Sequence, residues 1–410
     1  MEILIIGGGI GGLTLALSLA QAGIACRVYE AAREMRPLGV GINLLPHAMR
    51  ELTELGLAAR LAGVAVETRE VVYCNRFGQF ITREPRGRFA GYDWPQLSIH
   101  RGDLHAALLD EVRARIGHEA VILNKHCVGL SQDASGVRIR FADGSRARGA
   151  AAIGCDGIHS AVRKILHPAE GPLAYQGINM WRGATRMKPF LTGASMVIGG
   201  WLEVGKLVAY PMRDDIDGAG TQLVNWVAEV QSPRNVMQDW NLAGRLEDFL
   251  PVFAGWKFDW LDAVAMIEAS DVILEYPMVD REPLPHWTQG RVTLLGDAAH
   301  PMYPRGSNGA GQAILDARTL AGCLKREGEL PAALAAYEAL RLEPAYEVVL
   351  ANRSLGPDAV LGEVHRRTGD KPFARIEDVM SEAEMRAMFQ RYQRIAGFER
   401  ASLARRGSLS

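Results

Sequence analysis

Apolar runs and glycine-rich breaks alternate through the first part of the chain. Glu2 to Ile6 is a short apolar run with the look of a buried strand, and Leu13 to Gln21 has helical spacing. A second apolar run, Cys26 to Tyr29, ends at Glu30. Helical patterns follow from His47 to Leu61 and from Arg101 to Ile116, with a hairpin pattern from Val71 to Arg83 around Asn75 to Gly78. Hairpin signals recur over Val128 to Ile153, with turns at Asp133 to Gly136 and Ala142 to Gly144. Between Pro172 and Pro285 the pattern changes to short aromatic and β-branched runs such as Lys206 to Tyr210 and Leu223 to Glu229, which predicts an inserted sheet domain. Arg291 to Leu295 returns to a buried-strand pattern. Long helices are predicted from Ala310 onward, among them an amphipathic one over Ser381 to Ile395, while Arg400 to Ser410 reads as a frayed tail.

Between the first strand and the first helix stand Gly7, Gly9 and Gly12, which fit G-x-G-x-x-G. Such a turn brings backbone against a pyrophosphate, and the free N–H groups of the helix N-terminus face the anion. Glu30, about twenty residues on and at the end of the second strand, is placed to bond the ribose hydroxyls of an adenosine. A membrane span competes for this region, because Ile3 to Cys26 carries no charge. Its six glycines argue against one unbroken helix. No basic segment precedes the first strand, against a signal peptide.

Composition agrees with a cytoplasmic enzyme. At 410 residues the chain is long enough for two interlocked domains plus an extension. Its net charge of -1, with acids and bases mixed, gives no reason to expect nucleic acid or a membrane as partner. The five cysteines, Cys26, Cys74, Cys127, Cys155 and Cys323, form no C-x-x-C pair, which argues against a dithiol flavoenzyme or a zinc site and fits a reducing compartment.

Two further turns lie where open α/β sheets present loops to a ligand. Asp156-Gly157 follows the apolar run Ala150 to Ile153 and precedes Ile158 to Arg163; Asp297 follows Val292 to Leu295. The Asp297 carboxylate can accept from a ribityl hydroxyl, and Gly306, Asn308, Gly309 and Gly311 can place N–H groups beside a flavin ring. The three segments together indicate one bound FAD.

With these residues in place, the chain resembles the single-component FAD-dependent aromatic hydroxylases typified by p-hydroxybenzoate hydroxylase. The resemblance rests on Gly7 to Gly12, on Asp156-Gly157 with Ser160 and Arg163, and on Gly296-Asp297-Ala298-Ala299-His300 with Pro304; it covers roughly residues 1 to 350. Arg36 to Asn43, Ser98 to Gly102, Met180 to Gly183 and Tyr276 to Arg281 are similar to the phenazine-hydroxylating branch. The fold class implied is α/β: a Rossmann-like FAD-binding domain over residues 1–70, 99–171 and 286–353, a β-sheet-rich substrate domain over 71–98 and 172–285, and a C-terminal helical extension over 354–410.

The resemblance also implies roles. Glu30 holds the adenosine ribose, Arg101 reaches the ribityl or phosphate region, Gly41 lies against the flavin and Val128 meets the adenine side through its backbone. Asp297 binds the ribityl chain, and Asp156 with Arg163 forms a shared site near the pyrophosphate that also meets the nicotinamide. The implied reaction is hydroxylation of an aromatic ring with O2 and transiently bound NAD(P)H, through a C4a-hydroperoxide that must be kept dry. A phenazine-like or quinoline-like carboxylate leads as substrate, with or without decarboxylation, and a hydroxybenzoate or salicylate is the alternative. Other flavin reactions compete, although no W-x-W-x-I-P halogenase signature and no second glycine fingerprint is present.

At the substrate, alternation puts Lys206, Val208 and Tyr210 on one face of a strand and Asn225 opposite Trp226 on another, without saying which face looks inward. Tyr210 and Pro304 are the candidates nearest the reacting ring, and Trp181, Arg182 and Trp226 are candidate substrate contacts. Each aromatic competes with plain core packing, and Arg182 with a structural ion pair. His300 reads as a packing or turn residue of its motif. The C-terminal extension closes the site, meets a second subunit or covers core, and the protein is a monomer or a homodimer.

Overall fold

The computed structural model describes residues 2–35, 40–232, 242–354 and 356–405. Arg36 to Gly39, part of the stretch singled out above, and the last five residues lie outside them.

The first apolar run forms the strand Glu2–Ile6 at the centre of a five-stranded parallel sheet, flanked by Ala25–Tyr29 and Ala151–Gly154, with Val121–Ile122 and Val292–Leu294 at the edges. Parallel strands are buried on both faces, which is why these segments read as continuous apolar runs. The helix Ile10–Gln21 packs on the helix Gly309–Arg326, so the glycine turn and the segment after Asp297 meet at one end of the sheet. Beside it stands an antiparallel three-stranded sheet of Cys127–Asp133, Gly136–Phe141 and Arg146–Gly149.

Strands Glu70–Cys74 and Phe80–Pro85 leave this body and join Ala174–Met187, Ser195–Trp201, Gly205–Arg213, Gln222–Gln231, Leu242–Ala243 and Ile273–Asp280 in one eight-stranded sheet. One face carries an aromatic layer of Trp181, Trp226, Phe249, Phe253 and Trp256. The other packs Val71, Tyr73, Ile198, Val208 and Tyr210 towards the C-terminal helices Ala359–Thr368 and Glu382–Ile395, through Val360, Val364, Met385 and Phe389. Ser381 and Glu384 close a reciprocal cap at the start of the second of these helices.

Two segments differ from the pattern. The helix expected over His47 to Leu61 is two helices, Pro46–Glu54 and Ala58–Ala62, because Gly56 takes φ +80° between them. The expected frayed tail begins with the helix Arg400–Arg405, whose Leu403 is buried and whose carbonyl accepts from Arg50 Nη1 at 3.4 Å.

Candidate active site

Gly7, Gly9 and Gly12 form a turn with no room for side chains at two of its three glycines. A Cβ on Gly7 would lie 2.4 Å from the Cys155 carbonyl, and one on Gly12 would lie 2.0 Å from the Gly7 carbonyl. A Cβ on Gly9 would meet nothing within 4 Å, so its backbone faces open space. Glu30, beside it, accepts from the N–H groups of Gly8 at 2.7 Å and Ala32 at 2.8 Å.

This turn opens into a cavity of about 490 Å³ that runs along the eight-stranded sheet. Asp297 lines the cavity with its carboxylate exposed to that space, and among the described residues no hydrogen-bond donor meets it. Its depth in the protein pushes the carboxyl up, opposed by His300 and Arg101. Arg101, the first residue of the helix Arg101–Ile116, lines the same wall. Gly306, at φ +68°, and Ser307, at φ +56°, turn the chain into the helix beginning at Gly309. Cys155 and Gly157 also line the cavity.

A glycine turn, an acid at the adjoining strand end and a donorless carboxylate along the wall fit the phosphates and hydroxyls of FAD. The family model of an FAD binding domain matches residues 1–183 and 277–351. The chain is 42% identical over 407 residues to phenazine 1,6-dicarboxylic acid hydroxylase PhzS of Lysobacter antibioticus, covering 96% of this chain and 97% of that one. The chain belongs to the FAD-dependent aromatic hydroxylases. It is also 35% identical to 3-amino-4-hydroxybenzoate 2-monooxygenase PtnB3 of Streptomyces platensis, over 99% of this chain and 98% of that one. The structure of HpxO from Klebsiella pneumoniae with FAD and uric acid superposes with a TM-score of 0.78 at 27% identity, over 95% of this chain and 96% of that one.

The hydroxylase uses several sequence-predicted residues differently from the expectation. Asp156 does not line the cavity with its side chain: the carboxylate accepts from Ser160 Oγ at 2.5 Å and from the N–H groups of Ala161 and Val162 at 2.7 and 3.2 Å, starting the next helix. Arg163 is 1% exposed and spends its donors on both Glu170 oxygens and on the carbonyls of Ala298, Ala299 and Glu282. It ties the second motif to the third and reaches no open space, a correction to the shared site expected of it. Val128 sits at a bulge with its side chain exposed, between the paired residues Cys127 and Gly129.

Trp181 and Trp226 are likewise corrected. Both point to the face of the sheet away from the cavity, where Trp181 stacks on Phe249 at 4.9 Å and Trp226 Nε1 donates to Ser270 Oγ at 2.7 Å. Alternation along each strand turns their neighbours inward, so Arg182 and Val227 line the cavity, as do Lys206, Val208 and Tyr210. Gly41 is held by this sheet: its N–H donates to Asn225 Oδ1 at 2.8 Å, and its carbonyl accepts from Arg182 Nη2 at 3.1 Å. Its Cβ would lie 2.6 Å from the Tyr210 ring.

Burial pushes the Tyr210 phenol up to about 12 against the pull of Arg182, so it stays protonated at neutral pH. Pro304 lines the cavity at the start of the turn to Gly309. His300 is buried, its Nε2 lying 2.5 Å from Asp316 Oδ2, in agreement with a packing role.

Sequence reasoning missed Tyr392. From the C-terminal helix, its hydroxyl accepts from Asn308 Nδ2 and donates to Asn352 Oδ1, both at 2.8 Å. Helical spacing put Tyr392 on the apolar face of its helix without saying what that face meets; its placement against Gly306 shows the polar role.

Proposed function

We propose that this FAD-dependent aromatic monooxygenase hydroxylates a fused heteroaromatic carboxylate. The observation that carries the reading is the cavity floor. Val227, Val208, Ile198 and Tyr73 stand opposite one another on four neighbouring strands. At about 4.8 Å per strand that is roughly 14 Å of apolar floor, more than a single benzene ring needs. At its edge lies Arg182, directly across from Val227, with no carboxylate at ion-pair distance among the described residues and with its Nε unpartnered. A guanidinium with no carboxylate partner among the described residues, beside an apolar floor, suits an aromatic carboxylate.

Gly7, Gly9, Gly12 and Glu30 would hold the adenosine diphosphate part of FAD, Asp297 and Arg101 its ribityl and phosphate region, and Gly306 to Gly309 its ring. Bound FAD supplies the redox chemistry: hydride acceptance from NAD(P)H and activation of O2 for transfer of one oxygen atom to the ring, the other leaving as water. The protein's part is orientation and exclusion of water. Arg182 fixes the carboxylate, Tyr210 offers a neutral hydroxyl beside it, and the apolar floor keeps the reacting edge dry. The domain division given above, a cytoplasmic location and a monomeric or homodimeric state belong to the same reading.

Titrating the FAD-loaded protein with phenazine-1-carboxylate, phenazine and 4-hydroxybenzoate, while recording the flavin absorption, tests the substrate class. Tight binding of the carboxylated tricycle alone supports it; preference for 4-hydroxybenzoate overturns it.

A further inference from the structure

One side of the cavity floor is charged. Lys206, Glu229 and Asp358 all line the cavity and are at most 4% exposed. Lys206 Nζ lies 2.8 Å from Glu229 Oε1 and 2.6 Å from Asp358 Oδ2. Lys206 and Glu229 face each other on paired strands, and Asp358 comes from the C-terminal extension just before the helix Ala359–Thr368. One cation thus serves two carboxylates, leaving a net negative group.

The group is also incompletely satisfied. Glu229 Oε2 is buried and has no hydrogen-bond partner among the described residues. A buried carboxylate oxygen without a donor carries a desolvation cost that an added donor offsets. The cavity it lines is where such a donor can arrive. Glu229 lies two residues along its strand from Val227, the residue opposite Arg182, so the Arg182 guanidinium and the underfilled carboxylate flank the same stretch of floor. All three members of the charged group lie outside the segments matched by the FAD-binding model, 1–183 and 277–351. They belong to the part of the chain that shapes the substrate pocket.

We propose that Glu229, held by Lys206 and Asp358, reads a hydrogen-bond donor on the substrate, so that the preferred substrates are aromatic carboxylates that also carry an N–H or O–H group on the side flanking the carboxylate. Arg182 takes the carboxylate and Glu229 the donor, and the pair fixes which edge of the ring meets the flavin. This rests on the reading of Arg182 and the floor given under the proposed function.

The test is binding without turnover. FAD-loaded protein, with no reductant present, is titrated with phenazine-1-carboxylate and with its hydroxy and amino derivatives, the donor placed at successive ring positions, following the flavin absorption. A hydrogen bond to a charged group predicts that wild type holds a donor-bearing ligand about ten-fold or more tighter than the parent carboxylate. Glu229→Gln abolishes that preference while still binding the parent. Equal affinities for parent and derivatives in wild type overturn the proposal, whether or not the variant folds. A preference that survives Glu229→Gln also overturns it and makes the charged group a purely structural lock. Failure of every fused carboxylate to bind, with a donor-bearing single ring binding instead, would contradict the fused-ring reading and leave the Glu229 inference standing.

Discussion

Tyr392 and Asn308 are joined through the tyrosine hydroxyl at 2.8 Å, which ties the C-terminal helix to the turn that opens the helix Gly309–Arg326. The contact is close enough that a Cβ on Gly306 would lie within 1.9 Å of the same hydroxyl. Tyr392→Phe leaves Asn308 and Asn352 each short of a partner, at a cost of about 1–3 kcal/mol. The variant is expected to melt at lower temperature and to bind FAD more weakly, measured by thermal unfolding and flavin release; unchanged values in both would disconnect this helix from the cofactor site.

Asp297 is the acid whose carboxylate meets no donor among the described residues. Asp297→Ala should weaken FAD binding ten-fold or more, because it removes the acceptor for the flavin's hydroxyls. Purified wild type is expected to be yellow and the variant largely colourless. Refolding yield and far-UV circular dichroism should match, since no hydrogen bond among the described residues involves the side chain.

Trp226 makes the opposite case. Trp226→Phe removes the Nε1 donor from Ser270 on the face away from the cavity, so stability should fall by roughly 1–2 kcal/mol with KM unchanged. Arg182→Gln should instead raise KM for a carboxylated substrate about ten-fold or more, with Arg182→Lys recovering part of it. A KM effect at Trp226 equal to that at Arg182 would mean the two faces of the sheet have been misassigned.

The pH response has a separate origin in Asp316. Burial would raise its carboxyl, but His300 and Arg341 outweigh that and hold it at about 2, against 3.8 when unperturbed. A carboxyl depressed in the folded state stabilises the fold above its unfolded value and loses that contribution as pH falls through the folded one. Roughly 2 kcal/mol should therefore disappear between about pH 4 and pH 2. Denaturant titrations across that range should show the decline in wild type and a shallower one in Asp316→Asn. Tyr210, held at about 12, should contribute no limb to an activity profile below pH 10.

The cofactor half of the fold was legible because its signals are local. A glycine turn between strand and helix, an acid at the next strand end and Gly296-Asp297 each sit within a few residues of the chain. The substrate half was not, because period-two alternation gives two faces and no rule for which is inward. Trp181 and Trp226 drew attention as large aromatics, yet the smaller Val208 and Val227, with Arg182, face the cavity. Arg163 was misread for a related reason: its motif lies beside the cofactor turn, but its partners Glu170, Glu282, Ala298 and Ala299 come from three other segments. Tyr392 and Asp358 come from the extension, more than a hundred residues beyond the strands that carry Lys206 and Glu229.

The most direct measurement of the central claim is oxidation of NADH and NADPH by the FAD-loaded protein with phenazine carboxylates, quinoline carboxylates and hydroxybenzoates, quantifying oxygenated product and hydrogen peroxide together. The expected result is oxidation stimulated by a fused carboxylate, with a product carrying one atom from O2 and little peroxide. Oxidation indifferent to every aromatic and yielding peroxide alone would contradict it.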